Sequence, residues 1–233
     1  MPKLYLIPNV LSEAPWDTAL PNSIHSACTG LKYFIVENVR TARRFLKKLD
    51  QGINIDELTF YELNKRTSEE EKQQSIAPLL KGYDMGIISE AGCPGVADPG
   101  AEIVKLAHAK GIRVVPLVGP SSILLAMMAS GMNGQNFAFT GYIPVKPNQR
   151  AKRIKQLEKL VLFENQSQLF IETPYRNNQL LNDLLKYCNN STLLCIACDL
   201  TSETEFIATK SIAGWKKNKP DLNKRPAIFI LGR

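Results

Sequence analysis

Short apolar runs alternate with helix-length segments through the first half of the chain. Residues 4–7, 33–36, 58–61, 85–88 and 112–117 are rich in Leu, Ile, Val and aromatic side chains, which predicts buried strands. Between them, residues 41–49 place Ala42, Phe45, Leu46 and Leu49 at helical spacing, and residues 68–80 form a strongly charged helix. Strands that are apolar on both faces and alternate with helices predict a parallel sheet covered by helices on both sides.

The second half is patterned differently. A helix of small and apolar residues opens after Gly119-Pro120-Ser121-Ser122 and reaches Ser130. Strands at 137–142 and 169–172 alternate with a basic helix at 149–163 and with a helix at 177–187 whose Leu180, Leu181, Leu184 and Leu185 share a face. Strands at 193–199, 206–210 and 227–231 then follow with little helix between them, which predicts a mixed sheet. The organisation expected is two α/β domains: 1–117 with a mainly parallel sheet, and 118–233 with a mixed one.

Composition narrows the class. A length of 233 residues with 44% hydrophobic and 22% charged residues is globular and excludes a disordered chain. Five cysteines, an odd number without a dense framework, argue against a disulfide-built secreted domain. The first residues contain no long apolar stretch of a signal peptide, and no apolar run is long enough to span a bilayer, so the expected location is the cytoplasm. The net charge of +7 lies wholly in the second half: residues 1–117 hold 14 basic and 14 acidic side chains, residues 118–233 hold 15 and 8. That asymmetry suits a polyanionic partner such as RNA and suits a merely solvated face equally well.

Ser89-Glu90-Ala91-Gly92-Cys93-Pro94-Gly95-Val96-Ala97-Asp98-Pro99-Gly100 is the most informative segment. It follows a buried strand and precedes a helix, and ligands bind at the carboxyl ends of parallel strands. Three glycines and two prolines exceed what a turn needs, so a ligand loop is expected, with Asp98 as N-cap and Pro99 as the first helical residue. The segment is neither a dinucleotide fingerprint nor a phosphate-cradling P-loop. Gly119-Pro120-Ser121-Ser122 is a second candidate, whose free N–H groups suit a carboxylate or ribose oxygen and equally suit ordinary capping. Cys195 and Cys198 form half of a zinc pattern without a second pair, and no metal is expected. Lys146, Arg150, Lys152, Arg153, Lys155 and Lys159 make a basic stripe opposed only by Glu158; Arg150, Lys152, Arg153 and Lys155 are the expected RNA contacts.

At these residues the chain resembles the bacterial ribosomal RNA small subunit methyltransferase I family, of the tetrapyrrole methylase (corrin/porphyrin methyltransferase) superfamily. Residues 89–100 resemble its S-D-A-G-T-P-G-x-x-D-P-G signature. Glu37-Asn38-Val39-Arg40-Thr41 is similar to its E-D-T-R-x, Pro116-Leu117-Val118-Gly119-Pro120-Ser121-Ser122 to P-x-P-G-P-S-A, Phe139-Thr140-Gly141-Tyr142-Ile143-Pro144 to F-x-G-F-L-P, and Glu172-Thr173-Pro174-Tyr175-Arg176 to E-S-P-H-R. The resemblance implies a two-domain class III S-adenosylmethionine (SAM) methyltransferase fold with the cofactor in the interdomain cleft, usually in a homodimer. It implies methyl transfer to a cytidine ribose 2′-hydroxyl of 16S rRNA, on the isolated RNA or the small ribosomal subunit. Carried over by position, SAM would touch Pro8, Glu90, Ala91, Gly92, Cys93, Ser121, Ser122, Ile123, Thr173, Ala197 and Ala227.

The departures are Asn38 and Glu90 where the family has Asp, and Tyr61-Glu62-Leu63-Asn64 where it has H-E-H-N. A ribose hydroxyl needs a proton acceptor, for which Glu37 and Glu62 are the candidates, with Arg40 placed to hold a phosphate or the acceptor base. Methylation of a small molecule such as a tetrapyrrole, and a SAM-binding non-catalytic module of ribosome assembly, are the alternatives.

Overall fold

The computed structural model describes all residues, 1–233, which form two compact units, Met1–Ser121 and Ser122–Arg233. The units part four residues beyond the expected boundary, so Ser121 closes one and Ser122 opens the other.

The first unit carries a five-stranded sheet in the order β3-β2-β4-β1-β5, with every pair parallel. The strands are β1 (Lys3–Ile7), β2 (Tyr33–Val36), β3 (Thr59–Glu62), β4 (Met85–Ile88) and β5 (Arg113–Pro116). Successive side chains alternate faces. Ile7, Phe34 and Ile88 therefore pack on one side, against Ile24 of α1 (Asn22–Thr29) and Phe45 and Leu46 of α2 (Val39–Leu49). Leu4, Ile35 and Ile87 pack on the other, against Ile76, Leu79 of α4 (Ala77–Leu80) and Ile103 of α5 (Gly100–Ala109). Because all five strands are parallel, their carboxyl ends lie along one edge, and the loops that follow them gather there.

Three local expectations are corrected. The charged helix divides into α3 (Glu69–Ser75) and α4 at Ile76, because Pro78 has no N–H and its ring would meet the carbonyl one turn back. A Ser68/Glu71 capping box fixes the start of α3. The helix after the Gly-Pro loop begins at Gly100, with Pro99 at the cap position and no side-chain cap. Asp98 instead closes the loop, its Oδ1 accepting from Gly95 N and Gly100 N at 2.8 Å each.

The second unit carries a mixed sheet in the order β6-β7-β10-β8-β9, with only β6 and β7 parallel. Its strands are β6 (Phe137–Tyr142), β7 (Ser167–Ile171), β8 (Leu193–Cys198), β9 (Phe206–Ser211) and β10 (Ala227–Gly232). One face is covered by α7 (Pro147–Glu164), α8 (Asn177–Tyr187) and the short α9 (Ile212–Lys217), through Ile154, Leu157, Leu180, Leu184 and Trp215. The helix α6 (Ser122–Ser130) packs against β8, β9 and β10. Its last residue is held at Thr209, whose Oγ1 donates to Ser130 O at 2.8 Å, and Met132 packs against Gly232. Its first turn, Ser122 and Ile123, therefore lies toward the Ala227 end of β10. No helix is long and apolar enough to cross a membrane.

Candidate functional site

The loops at the carboxyl edge of the first sheet are cross-braced. Asn9, the second residue after β1, is buried, and its Nδ2 donates to Ser89 O at 3.0 Å and Glu90 O at 3.1 Å. Its backbone also exchanges both hydrogen bonds with Gly92. Ser89 Oγ donates to Gly92 O at 2.8 Å. Gly92 stands at φ +70°, and a Cβ there would come within 3.2 Å of Leu11 Cδ2 and 3.3 Å of Pro120 O. The loop after β5 closes on the same place. A Cβ on Gly119 would fall 2.2 Å from Pro8 Cβ, so glycine alone lets Pro8 and Gly119 lie in contact. Cys93 Sγ lies 3.4 Å from Pro120 O, and burial raises the pKa of this thiol.

Carboxylates surround this edge. Glu37, directly after β2, accepts from Glu90 N at 3.3 Å. Thr41 Oγ1 donates to Glu90 Oε1 at 2.5 Å, joining the start of α2 to the Gly-Pro loop. Glu37, Leu63, Ser89, Asp98 and Gly100 are among the residues that line a small pocket. Burial pushes the pKa of Glu37 up; the Glu90 N–H opposes this, and the charges of Asp98 and Glu90 add to it. Burial likewise raises Asp98, against the two N–H groups it accepts from. Glu62 differs: it is exposed at the end of β3 and accepts from Asn64 Nδ2 at 2.9 Å. Arg40 is exposed in the first turn of α2, whose N-cap is the Asn38 side chain.

In the second unit, Thr173, Ala197 and Ala227 gather at one edge of the sheet, because Ile228 pairs with both Ile171 and Ala197. Thr173 N donates to Glu172 Oε1 at 2.7 Å. Ala197 needs correction as a contact: it is 1% exposed, held in the ladder between Ile207 and Ile228, and presents no surface to a ligand. Arg150 is also corrected. It is 0% exposed, with Nε on Pro144 O at 2.9 Å, Nη2 on Val145 O at 2.9 Å and Nη1 on Asp183 Oδ2 at 3.0 Å. Its guanidinium is wholly occupied inside the protein and leaves nothing for a phosphate. Lys152 and Lys155 are exposed on α7 and Arg153 is half-buried. Glu158, the one acid on the stripe, turns inward and accepts from Asn189 N and Thr192 Oγ1 at 2.6 Å each. Cys195 and Cys198 are buried in β8, and their odd spacing sends them to opposite faces of the sheet.

The sequence is 30% identical to a ribosomal RNA small subunit methyltransferase I of Xylella fastidiosa over 196 residues, 84% of this chain and 68% of the relative. The chain belongs to the ribosomal RNA small subunit methyltransferase I family. A relative of the same description from Vibrio cholerae is 30% identical over 73% of this chain and 57% of its own length, so the chain spans somewhat more than half of that protein. No family model matches the chain. Among solved structures, the methyltransferase CobJ superposes with a TM-score of 0.65 at 16% identity, covering 100% of this chain and 95% of the other. The fold is thus the tetrapyrrole-methylase, class III SAM-methyltransferase fold.

Asn9 and Thr41 tie the Gly-Pro loop to the end of β1 and the start of α2, whereas Asp98 closes the loop on itself and on the start of α5. The sequence offers Asp98 as a cap and Thr41 only as the unspecified last position of a motif; Asn9 has one local signal, a small amide directly after a strand-ending proline.

Proposed function

We propose that this chain transfers a methyl group from SAM to a cytidine ribose 2′-hydroxyl of 16S rRNA, as a cytoplasmic homodimer acting in rRNA processing. The observation that carries this reading is the braced loop of Glu90, Ala91, Gly92 and Cys93 at the carboxyl edge of a parallel sheet, in a chain of this family.

The residues present fit the cofactor. Gly92 keeps the loop apex free of a side chain, and the acidic edge of Glu37, Glu90 and Asp98 complements a cation and its ribose hydroxyls. Glu90, Ala91, Gly92, Cys93 and Ser121, all at the carboxyl edge of the first sheet, would hold it. When bound, SAM supplies a methyl group on a positively charged sulfur, which keeps the electron pair of the broken bond.

The chain's own work is alignment, water exclusion and proton removal. Glu37 takes the proton of the acceptor hydroxyl as its oxygen forms the new bond to carbon. Its burial raises its proton affinity toward the range of a useful general base. Arg40 pairs with a phosphate beside the acceptor.

The test is mass mapping of 16S rRNA after incubation of small subunits with the purified protein and labelled SAM. One added methyl on a cytidine ribose is expected. Transfer to a tetrapyrrole instead, or binding of SAM without any transfer, overturns the substrate or the catalytic assignment respectively.

A further inference from the structure

At the edge of the second sheet where β6 and β7 end stand two exposed tyrosines and an arginine held by a buried carboxylate. Tyr142, the last residue of β6, pairs with Ile171, the last of β7, and is 59% exposed. Four residues after Ile171 comes Tyr175, 76% exposed, in the turn Pro174–Arg176. Arg176 Nη2 donates to Glu172 Oε1 at 2.6 Å, and the Glu172 side chain is fully buried. This holds the guanidinium at Nη2, while the Arg176 side chain remains 37% exposed.

Two buried ionic side chains shape the rim. Glu172 braces the β7–α8 turn through Arg176 and Thr173 N. Arg150 braces the β6–α7 loop through the carbonyls of Pro144 and Val145, presenting exposed Val145 and Lys146 beside Tyr142. Glu172 Oε2 and Arg176 Nε are buried with no hydrogen-bond partner. Polar groups left so are uncommon in folded proteins and call for a partner such as an ordered water or a ligand group. Two solvent-facing tyrosines beside an anchored arginine, in the half of the chain that holds the whole +7, match one ligand chemistry. Unpaired bases stack on aromatic rings while phosphates pair with guanidinium and ammonium groups.

We propose that Tyr142, Tyr175, Arg176 and Lys146 form a subsite for single-stranded RNA, on which bases stack and the backbone is held. As a place for the acceptor strand, it rests on the RNA-methyltransferase reading above; as a binding site, it stands on its own geometry. A duplex hides its base faces and is not the ligand.

The experiment is fluorescence anisotropy with a labelled oligocytidylate of about twelve nucleotides, set against an RNA duplex of similar length. Tyr175→Ala and Tyr142→Ala are expected to weaken single-strand binding by about 5- to 100-fold each. Tyr175→Phe, which keeps the ring, should retain affinity. Arg176→Gln should lower the log–log salt slope by about 0.7. Duplex binding should not respond to either tyrosine. Single-strand affinity unchanged by both alanine variants, or absent from the wild type, overturns the subsite. SAM binding by calorimetry on the same proteins separates the two readings. A wild type that binds no SAM but loses RNA on Tyr175→Ala refutes the methyltransferase reading and supports the subsite.

Discussion

Asn9 and Gly92 exchange both backbone hydrogen bonds, at 2.9 and 3.1 Å, joining the end of β1 to the apex of the Gly-Pro loop. The Asn9 amide adds donors to two further loop carbonyls. Asn9→Ala would leave those carbonyls without the amide in a buried place, a cost of roughly 1–3 kcal/mol. Thermal unfolding should drop by about 2–4 °C per kcal/mol lost. Calorimetry should show weaker SAM binding, because the loop is no longer held. An unchanged SAM affinity would mean that the backbone pair alone sets the loop.

Gly92→Val should abolish SAM binding, and for a reason inside the protein. Its left-handed backbone disfavours a β-branched residue, and the new Cβ would press on Leu11 and on the Pro120 carbonyl. Gly119→Ala is the sterner case, since its Cβ would overlap the rigid ring of Pro8 at 2.2 Å. Both variants should melt earlier than wild type, with Gly119→Ala the lower. A Gly119→Ala protein with the wild-type melting temperature would refute the close approach.

How far the sequence reveals this structure follows from the range of each determinant. The strands were legible because each is a short apolar run, and the alternation of Leu4 with Ile7 or Phe34 with Ile35 between two cores needs only local pattern. The helix α1 was not, since only Ile24 and Cys28 are buried along Asn22–Thr29. The short α9 was missed likewise: its decisive contact is Trp215 Nε1 to Leu194 O, distant in sequence. Arg150 and Glu158 sit in a run of charges that reads as a uniform solvated face. Their burial depends on Asp183, Asn189 and Thr192, which only the folded chain brings near. At the candidate site the Gly-Pro loop was legible as a motif, whereas Asn9 and Thr41 act through partners some 80 and 49 positions away.

Glu37 carries a pH signature. Its pKa in the folded state is raised, by burial first and by Asp98 and Glu90 as well. A carboxyl raised on folding binds more protons in the native state, so its contribution to stability falls as pH rises from the unfolded to the folded pKa. Glu37→Gln keeps an acceptor for Glu90 N and removes that penalty. The variant should therefore unfold later than wild type near neutral pH and match it below the ordinary carboxylate range. Its methyl transfer should be lost at all pH values if Glu37 is the base. Full activity in Glu37→Gln would move that role elsewhere.

Arg150→Met should behave as a core lesion. The substitution strands two carbonyls and the partly buried Asp183, and removing one partner of such a pair costs about 3–5 kcal/mol. Urea unfolding should show that loss. Arg150→Lys should recover only part of it, because an ammonium does not reproduce the three-way fork. A fully stable Arg150→Met would contradict the buried position.

Lys152, Lys155 and Lys159 lie along one exposed face of α7, at spacings of three and four. The structure sharpens what this face can do. Arg150 is withdrawn into the core, so the available cations are fewer than the sequence lists. Glu158 is withdrawn too, so the remaining ones are not neutralised by the only acid on the stripe. A phosphate backbone tracking such a face releases counterions for each charge neutralised. Lys152→Glu with Lys155→Glu should therefore weaken binding to ribosomal RNA and lower the log–log salt slope by about 0.7 to 0.9 per lost contact. Stability should hardly change, since both side chains are exposed, and this separates the pair from Arg150→Met. SAM affinity should also stay at the wild-type value, because α7 carries none of the cofactor motifs. If the double variant binds the RNA with the wild-type affinity and slope, the stripe serves solubility and the contact role of α7 is withdrawn.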